Sequence, residues 1–175
     1  MKKQGILEKV ANLVYLSIGS NLGNRLLNIE KTKSLILDNN INIISNSSYY
    51  ETPSWPNPKF PKFLNIVLKL ETKLDIKDLF SFLQSVEKII GRKKDKKNYP
   101  RVCDIDIIDY NGKNYSLLTG NKKIISPHPR MHKRNFVLLP LFEVNQNWKH
   151  PKSKENIEQL LYKLPIKSIR SIKLK

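Results

Sequence analysis

An α+β fold is what these 175 residues predict: a βαββαβ core whose antiparallel sheet carries its helices on one face, followed by a C-terminal hairpin and helices. Three observations lead there. Two stretches, 24–37 and 76–90, repeat apolar residues at three-to-four spacing between helix caps. Strand-like stretches precede, separate and follow them in the order such a core requires. The length is that of one domain, and 39% hydrophobic against 27% charged residues is too apolar for a disordered chain.

Residues 1–12 are polar without a clean period and read as a loosely ordered extension. A short strand at 13–18 runs into Gly19-Ser20-Asn21-Leu22-Gly23-Asn24, which is turn chemistry. The first helix follows, with Asn24 as its N-cap, Leu26, Ile29, Ile36 and Leu37 on its apolar positions, and Asp38-Asn39-Asn40 as the stop. Residues 41–51 alternate as a strand. Four prolines between Thr52 and Pro61 then exclude helix and central strand, and predict a stiff exposed loop bearing Trp55 and Phe60. A strand at 63–71 leads to the second helix, 76–90, with Asp75 as N-cap and Gly91 as C-cap. A basic loop, 92–100, precedes a strand at 102–110. Asn111-Gly112 signals a hairpin turn, and a further strand ends near Ile125. Helical pattern returns at 134–144, where Pro140 should break or kink it, and at 156–164. The element order is the ferredoxin-like one. The domain is expected to span 13–165, with 1–12 as an extension and 166–175 as a tail.

Composition excludes several classes. One cysteine, Cys103, rules out a disulfide framework and multi-cysteine metal sites. No stretch approaches the ~18 apolar residues of a membrane span. Glu8 and Lys9 interrupt the run after Met1-Lys2-Lys3, so a signal peptide is not expected and the cytoplasm is the expected compartment. The net charge of +17 would suit a polyanion, but 26 lysines against 6 arginines, spread along the chain, read as a general bias. The arginines are more informative, because Arg92, Arg101, Arg130 and Arg134 cluster within 92–134 and a guanidinium fork matches phosphate oxygens.

The sharpest motif is Arg101-Val102-Cys103-Asp104-Ile105-Asp106-Ile107. On a strand, Asp104 and Asp106 share a face, with α-carbons about 6.7 Å apart. Two carboxylates side by side repel unless cations lie between them, and hard oxygen ligands suit Mg²⁺, which fills its octahedron with water and phosphate. A solvated polar strand edge is the bland alternative, made less attractive by Arg101 and the basic loop. Cys103 falls on the apolar face and reads as a small buried hydrophobe. Asp109 is out of phase and reads as part of the turn. Glu87 beside the apolar stripe fits a buried partner or a rim salt bridge equally. Arg92 after the helix fits a phosphate contact or a charge answering the helix dipole. His128 lies between two prolines, and Phe136 fits core or ligand contact.

These segments resemble the 6-hydroxymethyl-7,8-dihydropterin pyrophosphokinase family. The resemblance rests on Leu16-Ser17-Ile18-Gly19-Ser20-Asn21-Leu22-Gly23 with Arg25; on Tyr50-Glu51-Thr52-Pro53 and Phe63-Leu64-Asn65; and on Glu87 through Gly91-Arg92. It continues in Pro100-Arg101 with Asp104-Ile105-Asp106, and in Pro127-His128-Pro129-Arg130-Met131-His132 with Arg134 and Phe136. It implies transfer of the β,γ-pyrophosphoryl group of ATP to the pterin hydroxymethyl oxygen, with AMP released. It implies two Mg²⁺ held by Asp104 and Asp106, and a triphosphate held by Arg92, Lys94, Arg101, His128 and Arg134. Phe63 and Phe136 would sandwich the pterin, Asn65 and the backbone near Thr52 and Pro53 would read its polar edge, and Asn21 and Trp55 would line the pocket. Glu87 would lie near the ribose, and Ile107 and Ile125 would meet adenine through backbone groups. ATP and a reduced pterin are the implied partners, with no nucleic acid, no membrane and a monomer expected.

Three positions depart from the family pattern. Lys94 stands where a second loop arginine is usual, Asn98 or Tyr99 where tryptophan is frequent, and Phe63 where tyrosine is common. Two other readings use the same features: an RNA-binding module with this element order, for which the strand at 63–69 lacks the aromatic and basic pattern, and another two-metal nucleotidyltransferase.

Overall fold

The computed structural model describes residues 10–93 and 99–175. Strand β1 (Asn12–Ser20) leads to helix α1 (Arg25–Leu37), then short strands β2 (Asn42–Asn46) and β3 (Tyr50–Thr52), and β4 (Phe63–Thr72). Helix α2 (Ile76–Ile90) precedes β5 (Asp104–Tyr110), β6 (Tyr115–Thr119) and β7 (Lys122–Ser126). A 3-10 turn at Met131–Lys133 introduces α3 (Asn135–Val144), followed by α4 (Ile157–Tyr162), α5 (Ile166–Ser171) and β8 (Lys173–Leu174).

The main sheet runs β5-β1-β4-β3-β8, with β2 also paired to β4, and each described pairing is antiparallel. Residues 41–51 thus form two strands: β2 lies against Leu68–Glu71 and β3 against Phe63–Asn65, with Ser47 bridging the break. The Ser47 hydroxyl accepts Val67 N at 3.0 Å, so that donor keeps a partner across the interruption. Asn111 and Gly112 both turn with positive φ, 56° and 61°. They do not close a hairpin between paired strands, however, because β6 pairs with β7 in a separate two-stranded sheet.

Local sequence explains the helices. The Asn24 side chain accepts Leu27 N, and Asp75 accepts Lys77 N and Asp78 N. Helix α2 ends as a Schellman motif: Arg92 N bonds Glu87 O, Gly91 N bonds Lys88 O, and Gly91 takes φ 103°. Ile76, Leu79, Leu83 and Val86 are buried beneath α2, each contributing about 1.5–3 kcal/mol. Helix α3 continues through Pro140, because Val137, Leu138 and Leu141 are completely buried and packing outweighs the lost hydrogen bond.

The two faces of the sheet have different tasks. Val14, Leu16 and Ile18 of β1, Ile66 and Leu68 of β4, and Cys103 and Ile107 join Ile29, Ile36, Leu79 and Leu83 of α1 and α2 in one core. On the opposite face Tyr15, Val67 and Ile108 pack against Val137, Leu141, Trp148 and Leu160. That second core covers one end of the face and leaves the other end open.

Cys103 is buried against Thr32, 3.4 Å between Sγ and Oγ1, and burial pushes its thiol up to about 12. It should therefore stay silent to a thiol reagent under native conditions and react once denaturant opens the α1/β5 core. Rapid native labelling would contradict this packing.

A bulge in β5 sets the phase of its carboxylates. Leu16 faces Ile107 and Tyr15 faces Asp109, so Ile108 is an extra residue. Asp109 is consequently in the strand, not the turn, and is 2% exposed. Its two oxygens accept Trp148 Nε1 at 2.9 Å and Gly112 N at 3.1 Å.

Candidate active site

The open end of the second face is a cleft of about 660 Å³. Its floor comes from Ser17 and Gly19 of β1, Phe63 and Asn65 of β4, and Asp104 and Asp106 of β5. Period two puts these side chains on one face, and the antiparallel register sets Gly19 beside both Asn65 and Asp104. Thr52, Pro53 and Trp55 form one wall, Arg92, Tyr99 and Arg101 another, and Arg134 and Phe136 a third.

Asp104 and Asp106 are 30% and 31% exposed, so both carboxylates are reachable from solvent. Asp104 Oδ1 lies 3.0 Å from Arg92 and 2.8 Å from Arg101. Asp106 Oδ2 lies 2.7 Å from Arg134 and 3.7 Å from His128 Nε2. Arg92, Arg101 and Arg134 thus answer the two carboxylates, and with Arg130 and Lys133 also lining the cleft, positive charge exceeds negative there. Burial holds His128 below the usual imidazole range, and Arg134 and Arg130 add to this against Asp106. Its Nδ1 accepts Arg130 N at 3.2 Å, so the neutral ring carries its proton on Nε2, toward Asp106.

The arginines are held by backbone geometry and by second partners. The Schellman end of α2 delivers Arg92, which pairs with Glu87 as well as Asp104. Glu87 Oε1 also accepts Ile105 N at 2.8 Å, tying the helix end to the acidic strand. Burial pushes Glu87 up to about 7, against the pull of Arg92. The Arg134 guanidinium lies 5.4 Å from the Phe136 ring centre, a cation–π contact joining the charged and aromatic parts of the cleft. Across the mouth, Phe60 of the proline-rich loop meets Tyr99 with ring centres 5.5 Å apart.

On the aromatic side, Asn65 Nδ2 bonds Thr52 Oγ1 at 3.0 Å. Gly19 allows this arrangement: a Cβ there would lie 2.9 Å from Asn65 Oδ1 and 3.4 Å from the Phe63 ring. Nearby Glu51 is buried and pairs with Arg25 at 3.1 Å and Lys62 at 3.4 Å, which fixes the strand leading into the loop.

Residues 15–146 match the family model for 7,8-dihydro-6-hydroxymethylpterin-pyrophosphokinase, HPPK. An Aquifex aeolicus protein named 2-amino-4-hydroxy-6-hydroxymethyldihydropteridine pyrophosphokinase is 35% identical over 157 residues, covering 90% of this chain and 89% of that one. The chain belongs to the HPPK family. The folic acid synthesis protein FOL1 of Dictyostelium discoideum is 39% identical over 140 residues, but the match spans 80% of this chain and only 20% of that protein. Among solved structures, a Plasmodium falciparum HPPK-DHPS shares the fold with a TM-score of 0.72 at 16% identity, covering 96% of this chain and 48% of that one.

Most residues singled out in the sequence meet in this HPPK-family cleft: Thr52, Pro53, Trp55, Phe63, Asn65, Arg92, Arg101, Asp104, Asp106, Arg134 and Phe136 all line it. Asn21 does not. It is 1% exposed and lies behind the wall, donating to Pro61 O at 3.0 Å and accepting Arg101 N at 2.7 Å. Its turn position and amide suit it to clamp two loops. The Glu87 carboxylate is likewise engaged with Arg92 and Ile105, and does not line the cleft. The Ile107 side chain enters the α1/α2 core, and Ile125 lies on β7 away from the cleft. Lys94 and Asn98 lie outside the described residues. Arg130, the fourth of the clustered arginines, lines it too, and so do Ser17, Lys133, Asn135, Ser168 and Ser171, which were not singled out for it. Ser17 has a readable signal, since it shares a strand face with Gly19. Ser168 and Ser171 have none in the sequence.

Proposed function

We propose that the chain transfers the β,γ-pyrophosphoryl group of ATP to the hydroxymethyl oxygen of 6-hydroxymethyl-7,8-dihydropterin, releasing AMP, in the synthesis of tetrahydrofolate. One observation carries the reading beyond family membership: an acidic pair on one strand face, ringed by arginines, opens into the same cleft as two phenylalanines and an amide. Nucleotide and flat heterocycle can then meet at Asp104 and Asp106.

The donor set fits two Mg²⁺. Two solvent-reachable carboxylates are hard ligands, and among the described residues no cluster of three or more His, Cys, Asp or Glu is placed to hold a metal. That favours an ion that completes its shell with water and phosphate over one caged by protein. When bound, such ions offset phosphate charge and acidify the hydroxymethyl group, so no side-chain base is required.

The chain's own residues supply placement and charge. Arg92, Arg101 and Arg134 already lie at the carboxylates, and their forks can turn to phosphate oxygens as these enter. There they stabilise the charge that develops on departing AMP. His128 adds a neutral N–H donor. Glu87 orients Arg92. Phe63 and Phe136 hold the pterin ring, and Asn65, positioned by Thr52, reads its polar edge. The loops carrying Phe60 and Tyr99 can close over the mouth and keep water from the activated phosphate. A monomer in the cytoplasm, without nucleic acid, belongs to this reading. No helix among the described residues is long and apolar enough to cross a membrane.

The test is incubation with ATP, Mg²⁺ and the reduced pterin, with product identification. AMP and the pterin diphosphate should appear together, and no AMP without pterin. Pterin-independent AMP would point to another nucleotidyltransferase. Retention of single-stranded RNA that falls steeply with salt, without turnover, would favour the RNA module suggested by the +17 charge.

Gly19→Ala offers a narrower check. The new methyl must displace the Asn65 amide or the Phe63 ring. The expected result is a pterin KM raised about tenfold with ATP KM little changed. Equal shifts in both would argue against a pterin role for Asn65 and Phe63.

A further inference from the structure

Residues 166–175 lie beyond the segment matched to the family model, yet they touch the aromatic end of the cleft from two sides. Strand β8 extends the sheet along β3, with Leu174 opposite Tyr50 and Lys173 opposite Glu51. Lys175 N donates to Tyr49 O at 2.9 Å, and Lys175 Nζ lies 3.8 Å from Glu51 Oε1. Strand β3 runs directly into Thr52 and Pro53 of the cleft wall. On the other side, Asn135 Nδ2 donates to Ser168 O at 2.6 Å and to Ser171 Oγ at 3.3 Å. The Ser171 hydroxyl donates to Ser168 O at 2.7 Å. The far end of the same amide, Asn135 Oδ1, accepts Phe136 N at 2.7 Å. One buried side chain thereby links the tail to the backbone of the cleft phenylalanine. Ser168 and Ser171 themselves line the cleft beside Phe136.

We propose that this tail is a pterin-side wall: Ser168 and Ser171 bound the space for the heterocycle, and Asn135 and β8 hold Phe136 and Thr52 at the right separation around it. The inference rests on the functional reading above and adds residues to it. Asn135 and the β8 backbone act as positioning elements, and Ser171 limits the size of heterocycle admitted. Arg92, Arg101 and the acidic pair have no described contact with the tail, whereas Arg134 shares the wall of Phe136 and precedes Asn135 in the chain. The tail therefore acts first on pterin affinity, and far less on ATP, which it can reach only through Arg134. A short hydroxyl at 171 leaves room for a flat ring, and a branched side chain there would invade it.

The experiment compares full-length Ser171→Leu, Asn135→Ala and wild type, with exposed Arg170→Ala as a control. It measures KM for each substrate, kcat, and direct pterin binding from the pterin's own fluorescence. Ser171→Leu should raise pterin KM and the pterin dissociation constant at least about tenfold, with ATP KM within about twofold. Asn135→Ala should move the same quantities less, by severing the tie without filling the space. Ser171→Ala, which keeps the space open, should bind pterin within about threefold of wild type and covers the case in which leucine is not tolerated by the fold. Unchanged pterin binding in both Ser171→Leu and Asn135→Ala overturns the proposal. So does a rise in ATP KM in step with pterin KM. A wild type that neither binds nor turns over the pterin removes the functional reading and this one together. An active wild type with insensitive variants removes this one alone.

Discussion

Replacing Asp106 by alanine should lower the rate of AMP formation on the order of a thousandfold, and Asp104→Ala should do the same. The two carboxylates share one face of β5 and are reachable from the cleft, so on the proposed reading each would be needed to hold the ions. Stability should change by only about 1 kcal/mol, because these pairs with Arg134, Arg92 and Arg101 are partly solvated. Rates and melting curves measured on the same preparations separate the two effects. Asp106→Asn is the stricter variant, since it keeps shape and an acceptor for Arg134 while removing charge. Near-normal rates in either alanine variant would remove the metal-gripping role.

The second large effect concerns Arg92. On the proposed reading, Arg92→Ala should cut turnover about a hundredfold and weaken ATP binding, by removing a guanidinium that would meet phosphate. It should also destabilise the fold by roughly 1–3 kcal/mol, because Glu87 would be left buried with only Ile105 N as partner. A double variant resolves the two. Adding Glu87→Gln to Arg92→Ala should recover much of the stability and none of the rate. Recovery of rate along with stability would mean that Arg92 serves architecture alone. Arg92→Lys should fall between, since an ammonium keeps charge and loses the fork.

How much of this could be read from the chain depended on whether the signal was local. The α2 helix was legible to the residue, because Asp75, Gly91 and the apolar face between them each report on a neighbour fewer than five positions away. The shared face of Asp104 and Asp106 was legible for the same reason, strand period being a local property. The division of 41–51 into β2 and β3 was not, since it depends on where each half lies along β4. Asn21 looked like pocket lining because it stands in a glycine-rich turn. Its burial follows from Pro61 and Arg101, forty and eighty residues away. The tail was least legible of all. Its helix and strand have six and two residues, too short to show a period, and both are held by partners more than thirty residues back.

The extra residue in β5 has a consequence for how this strand can change over time. Because Ile108 interrupts the alternation, the half bearing Asp104 and Asp106 and the half bearing Asp109 answer to separate constraints on the same side of the sheet. Deleting Ile108 would restore strict alternation: Asp109 would stay on the side of Trp148, Tyr110 would stay in the α1/α2 core, and the second core would lose one completely buried side chain. A single-residue deletion there should thus cost the packing of that side chain, about 2–5 kcal/mol, and leave the faces of the strand as they are. Ile108 is a spare place in the alternation of inside and outside, and its worth lies in what it contacts more than in being counted.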